Sequence, residues 1–150
     1  MVVQSPNLED FRIEKVLITP RPNFNINSPE VSGEFDIEIQ IAQNKENTNM
    51  YLVILKIVFA DKENKDNFPY NLEFQINGIF SINDDMSEEE KEKLIALNAV
   101  SILYGVARGE IANFTANFKY EKFILPSYNF VEHYKKSQNK SKTKVSKQNK

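Results

Sequence analysis

YNLEFQINGIFSINDDMSEEEK, residues 70–91, contains the change of period that decides the fold. Up to Asn77 the chain alternates. Tyr70, Leu72, Phe74 and Ile76 point one way and Asn71, Glu73, Gln75 and Asn77 the other, the spacing of a half-buried strand. Gly78 interrupts this pattern before IFSI, and a glycine inside a strand predicts a bulge or a close backbone approach. Ser87 and Glu90 then form the capping-box pattern S-x-x-E, with Glu88 and Glu89 suited to the positive end of a helix dipole. Beyond it Leu103, Ala107, Ile111, Phe114 and Phe118 recur at helical spacing. Asn98 is placed to cap a second segment, which would divide 87–118 into a short and a long helix.

Upstream, residues 8–19, 34–43 and 50–60 read as three more strands. The second is the cleanest, with Phe35, Ile37, Ile39 and Ile41 opposite Glu34, Asp36, Glu38 and Gln40, so its outer face should be acidic. MYLVILKIVFA is apolar at both parities and predicts a strand covered on both sides. NKENTN and DKENKDNFP are polar turns. Pro20, Pro22 and Pro29 mark a long connection after the first strand, and its Phe24 and Ile26 imply that it covers something. Downstream, FILP at 123–126 reads as an extended crossing, and Asn129 as the cap of a last helix, FVEHYKK. Strands first and helices after give an α+β fold, a four-stranded antiparallel sheet with its helices packed on one face.

The 150 residues suit one domain, read as 1–134, with a basic tail at 135–150. The net charge of −2 conceals two parts. Residues 1–132 carry twelve basic and twenty-one acidic side chains, and beyond Glu132 there are seven lysines and no acid. The tail has one aliphatic residue, Val145, and reads as disordered. With no cysteine and one histidine, His133, disulfides, thiolate metal sites, a cysteine nucleophile and a multi-histidine centre within one chain are excluded. No apolar run reads as a membrane span and the N-terminus does not read as a signal peptide, so the expected compartment is the cytoplasm.

Few constellations suggest chemistry. His133 has Glu132 beside it but no nucleophile motif, and reads as a solvated helix residue. Asp84, Asp85 and Glu88–Glu90 are explained by a turn and a helix start. The four glycines are isolated, so there is no phosphate loop. The lysine tail has little aromatic interleaving, and nucleic acid is not an expected partner. Eleven phenylalanines and six tyrosines remain, several in connections where they would line an apolar groove for peptide or lipid. Gly105 and Gly109, four apart, read either as tolerated weak points or as a close helix–helix approach.

Four short motifs recur in order: Gly78-Ile-Phe-Ser-Ile82, the acidic helix start SEEE, Tyr104-Gly-Val-Ala-Arg108, and Leu125-Pro126-x-x-Asn129-Phe130. Together, over residues 70–134, they resemble the SecB family of export chaperones, with its G-I-F strand end, F-P-Y-A-R helix motif and L-P-P-x-N-F crossing. Here the mid-helix proline is absent, Ser127 replaces the second proline of the crossing, and the tail is basic where the family's is acidic. Of the family's contacts with the translocase motor ATPase, Glu73 matches, whereas Asn71 replaces an apolar residue and Thr19–Pro22 an acidic strand end.

The resemblance implies a non-enzymatic, ATP-independent holdase without cofactor or metal, assembled as a homotetramer, a dimer of dimers. Its clients would be unfolded polypeptides such as preproteins for export, and its partner the motor ATPase or, as in SecB-like chaperones of toxin–antitoxin systems, an antitoxin. Burial of client side chains against aromatic walls, at about 25 cal/mol per Å², would supply the affinity. The client-binding candidates are Phe24 and Ile26, then Phe35, Ile37 and Ile39, then Phe123, Leu125, Tyr128 and Phe130. The interface candidates are Leu72, Phe74 and Ile76, with Gly105 and Gly109 in support. A small-ligand or lipid-binding α+β module is the alternative from another class.

Overall fold

The computed structural model describes residues 5–28, 33–60, 67–83 and 85–138. Four strands, β1 (Asn7–Pro20), β2 (Asp36–Gln43), β3 (Met50–Phe59) and β4 (Tyr70–Ser81), form one antiparallel sheet in the order β1-β4-β3-β2. β2, β3 and β4 follow one another as a meander. β1 crosses back to pair with β4, with Ile13 opposite Ile76 and Ile18 opposite Leu72. The two edges of this sheet are therefore β1 and β2. The long proline-bearing connection runs between them, and Phe24 packs edge-on against Tyr120 at 4.9 Å.

The sheet has one covered face. Tyr51, Val53, Leu55, Ile57 and Phe59 of β3 and Leu72, Phe74, Ile76 and Phe80 of β4 are buried beneath the helices. The alternate residues Leu52, Ile54, Lys56 and Val58 are only half-buried. The expectation that β3 is covered on both sides is thus corrected. Its outer face is shielded by the side chains of neighbouring strands and not by a second layer. β4 continues unbroken through Gly78, and the register shifts occur in β1, between Leu8 and Asp10 and between Ile13 and Lys15. Gly78 instead marks a close approach. A Cβ built there would lie 2.9 Å from both Leu103 Cδ1 and Phe80 Cε2, so only glycine lets the helix settle on the sheet at that point.

Ser87 caps α1 (Glu88–Leu94) through the reciprocal capping box with Glu90. The helix does not break at Asn98. It passes through one π-helical segment (Ile95–Ala99) directly into α2 (Val100–Thr115). Its inward stripe runs Leu103, Ala107, Ile111 and Thr115, while Phe114 and Phe118 are exposed. The sequence stripe slipped by one residue because Thr115, the position four after Ile111, satisfies its hydroxyl on the Ile111 carbonyl at 2.8 Å and so tolerates burial. By length and composition Glu88–Thr115 is long and apolar enough to cross a membrane, but its inward stripe belongs to the core.

A last helix, α3 (residues 130–138), begins after Asn129, whose side chain accepts from Glu132 N at 3.2 Å. α3 runs four residues into the stretch assigned to the tail. The rest of that tail, like all of DKENKD at 61–66, Pro29 and Asp84, lies outside the described residues.

Candidate functional site

Residues 121–129 carry no regular secondary structure, so their backbone groups need partners from elsewhere. The chain turns into this crossing at Glu121, which adopts a positive φ of 65°. Tyr70 bridges the turn. Its hydroxyl donates to Glu121 O at 2.7 Å and accepts from Tyr120 N at 3.0 Å. Three side chains of α2 then fix successive points. Thr115 Oγ1 accepts from Phe123 N at 2.8 Å, Arg108 Nε donates to Leu125 O at 3.1 Å, and the Tyr104 hydroxyl donates to Pro126 O. Burial pushes the Tyr104 phenol up to about 12. Held this way, the crossing turns Phe123 and Leu125 into the core and leaves Ile124 half exposed.

An aromatic track follows. Phe35 stacks on Phe59 at 4.6 Å and lies 5.9 Å from Tyr128. Tyr128 in turn packs on Phe130 at 4.7 Å and shares a 2.7 Å hydrogen bond with His133 Nδ1. Beside this track two recesses open, one along α3 and one at its start. The larger, of about 520 Å³, has an apolar floor of Ile39, Ile41, Tyr51 and Ala96, with Glu88, Glu89 and Glu92 on one rim and His133 to Gln138 opposite. The smaller, of about 460 Å³, lies between Leu97 and Ser101 of the long helix and residues 127–131.

The larger recess is open because β2 is an edge strand. Ile37 and Ile39 are half-buried, and Ile41 is 39% exposed toward the cleft. Gln43, in the last β2 position, donates to Tyr51 Oη at 3.0 Å and Glu88 Oε2 at 3.0 Å, tying the strand to the helix start. The Gln43 hydrogen bond, followed by that of Lys91, holds the Glu88 carboxyl below its ordinary value. Burial, then the charges of Glu88 and Glu92, push the Tyr51 phenol up. The cleft floor is therefore apolar in a negative field.

Of the expected client-binding residues, Ile39 lines the larger recess and Tyr128 and Phe130 the smaller, while Phe35 stands between Phe59 and Tyr128 and Ile37 is half-buried on the same face of β2 as Ile39. Phe123, Leu125 and Phe130 belong to the core, at 6%, 1% and 6% exposure. Phe24 is half-buried against Tyr120, and Ile26, 70% exposed, stands on the connection between the edges. Leu72, Phe74 and Ile76 sit in the core of the chain itself, on an inner strand beneath α2, so their side chains are unavailable to a second copy. Their alternation identified the buried face but not what covers it. Gly105 and Gly109 are exposed, with nothing within 4 Å of a Cβ built on either. Sequence reasoning missed Thr115, Arg108 and Tyr51. Only the YGVAR motif signalled that Tyr104 and Arg108 share a face four residues apart. Among the described residues, no group of three or more His, Cys, Asp and Glu side chains could hold a metal ion.

On the outer face of the sheet, Glu73 is clasped between Lys15 at 2.9 Å and Lys56 at 3.4 Å. The hydrogen bond from Lys15, with the charge of both lysines, lowers its carboxyl from the ordinary value.

A family model described as preprotein translocase subunit SecB matches residues 7–141. The protein-export protein SecB of Rhodospirillum centenum is 21% identical over 136 residues, 91% of this chain and 78% of that protein. An uncharacterised protein of Methanocaldococcus jannaschii is 28% identical over 94 residues, 63% of this chain, and the matched region spans about 60% of the length of that relative. Among solved structures, the SecB-like chaperone of Mycobacterium tuberculosis, in complex with a ChAD peptide from an antitoxin, shares the fold. It has a TM-score of 0.62 at 13% identity, covering 83% of this chain and 91% of that one.

Proposed function

The chain belongs to the SecB family, and from that premise we propose that it is a holdase, a chaperone that keeps polypeptide segments unfolded by sheltering their apolar side chains. The observation that carries this reading is the open recess at the β2 edge, floored by Ile39, Ile41, Tyr51 and Ala96, with the half-buried side chains of Ile37 and Phe35 continuing the apolar face toward Tyr128. An extended client would lay alternate side chains along it, gaining roughly 25 cal/mol for each Å² of apolar area removed from water. No bond is made or broken, so neither nucleotide nor metal is required.

A second surface supports assembly into a homotetramer. Gly105 and Gly109 are exposed on α2, flanked by the half-buried Ile102 and Val106, at the spacing of one helix face. Its glycines would let another helix approach closely, and several grooves on one oligomer would bind a long client multivalently. As to partner, Glu73 matches the family's contacts with the translocase motor, whereas Asn71 and Thr19–Pro22 depart from them. This favours a client service independent of the motor, of which antitoxin protection is one form. The setting would be cytoplasmic.

The test is suppression of aggregation of a denatured, diluted protein without nucleotide, with mass read by light scattering on the same sample. Protection at about one tetramer per client is the expected result. A monomer that protects nothing would overturn the reading and return the groove to small ligands.

A further inference from the structure

The described chain ends at Gln138, and Gln138 is itself part of the wall of the larger cleft. Twelve residues follow, NKSKTKVSKQNK, with five lysines, no acid and one aliphatic side chain, Val145. Across the cleft stand Glu89 and Glu92. Both are exposed, and neither forms an ion pair with another described residue, whereas Glu88 beside them is matched by Lys91 at 3.3 Å. The floor between the two walls is apolar. We propose that residues 139–150 dock in this cleft as an internal competitor, with lysines facing Glu89 and Glu92 and Val145 over Ile39 and Ile41.

Reach and charge both permit it. From Gln138 to Val145 an extended chain covers up to about 25 Å, several times the width of a recess of about 520 Å³. Tethering holds the tail at an effective concentration in the millimolar range, so an intrinsic dissociation constant of roughly a few hundred micromolar would keep the cleft largely occupied. The inference rests on the groove reading for its consequence, that a client must displace the tail. The docking itself can be read without any client.

The absence of cysteine makes a single label clean. A nitroxide on the full-length Gln148→Cys variant, with isoleucine methyl groups observed by NMR, should broaden Ile39 and Ile41 far more than Ile79 on the opposite face of the sheet. The difference should vanish in Glu89→Gln/Glu92→Gln, and at about 1 M salt, where the Debye length falls to about 3 Å. Equal broadening at Ile79, or insensitivity to both changes, would overturn the docking. Separately, truncation after Gln138 should tighten binding of a fluorescent lysine-flanked apolar peptide by roughly three- to tenfold, and an unchanged affinity would overturn the competition. If neither form binds the peptide, the client groove fails while the broadening still decides the docking.

Discussion

Replacing Gly105 and Gly109 by alanine together should act in opposite directions on the single chain and on its assembly. Both lie in the interior of α2 with open space where a Cβ would be added. Within one chain the change therefore meets no clash and recovers helix propensity, about 1 kcal/mol at each position, roughly 2 kcal/mol in all. For a domain of this size that corresponds to a melting temperature about 4–8 °C higher. If the same face packs against another helix, each methyl group is inserted into a close contact, and overpacking costs about 1–3 kcal/mol per site. Thermal unfolding at low concentration, where chains are dissociated, should show the stabilisation. Light scattering over a concentration series should show the assembly midpoint moving to higher concentration. A variant that melts higher yet keeps its full mass throughout would refute the assignment of this face. One that melts lower at low concentration would refute the claim that the positions are open.

The same substitution at Gly78 should do the reverse. Gly78→Ala drives a methyl group against the buried ends of Leu103 and Phe80, both 2.9 Å away, and should cost about 1–3 kcal/mol by denaturant unfolding. Phe35→Ala should weaken client protection in the aggregation assay by removing the ring that joins Phe59 to Tyr128 in the aromatic track. Glu73 has a lowered folded-state carboxyl, so its contribution is present above the unfolded value and is lost as pH falls through the folded one. Glu73→Gln should accordingly flatten the acid limb of the stability profile. Tyr104 is the opposite case. Its phenol ionises near 10 in the unfolded chain and at about 12 when folded, so its contribution is complete below pH 10 and declines between the two values. Tyr104→Phe should remove that alkaline decline and, by orphaning Pro126 O, lower stability by about 1–2 kcal/mol in chemical denaturation.

Local patterns were legible where one residue type enforces one geometry. The capping box at Ser87 and Glu90, the cap at Asn129 and the alternation of β2 and β4 all rest on contacts within a few residues, and all stand in the structure. What did not follow from the sequence was relational. Nothing local in NLEDFRIEKVLITP announces that β1 pairs with β4, a partner some fifty residues away. With that pairing unknown, the inner position of β4 was also hidden, and Phe74 looked as suitable for an interface as for the core. The groove was half visible for the same reason. The apolar side of β2 could be read directly, whereas its openness depends on β2 being an edge strand with α3 standing off it. The anchors Tyr104, Arg108 and Thr115 were obscured because each serves the backbone of a segment that has no pattern of its own.

The place of β1 in the sheet also sets a timetable for synthesis. β1 ends at Pro20 and its partner begins at Tyr70, so the strand that leaves the ribosome first is completed last. At about 5–20 residues per second it waits roughly 3–10 s for its partner. Throughout that interval its aliphatic run Val16, Leu17 and Ile18 has no sheet to join. β2 and β3, adjacent in sequence, can close their hairpin while β1 is still waiting. During its own birth the chain therefore passes through the same kind of exposure that its groove would later relieve in others.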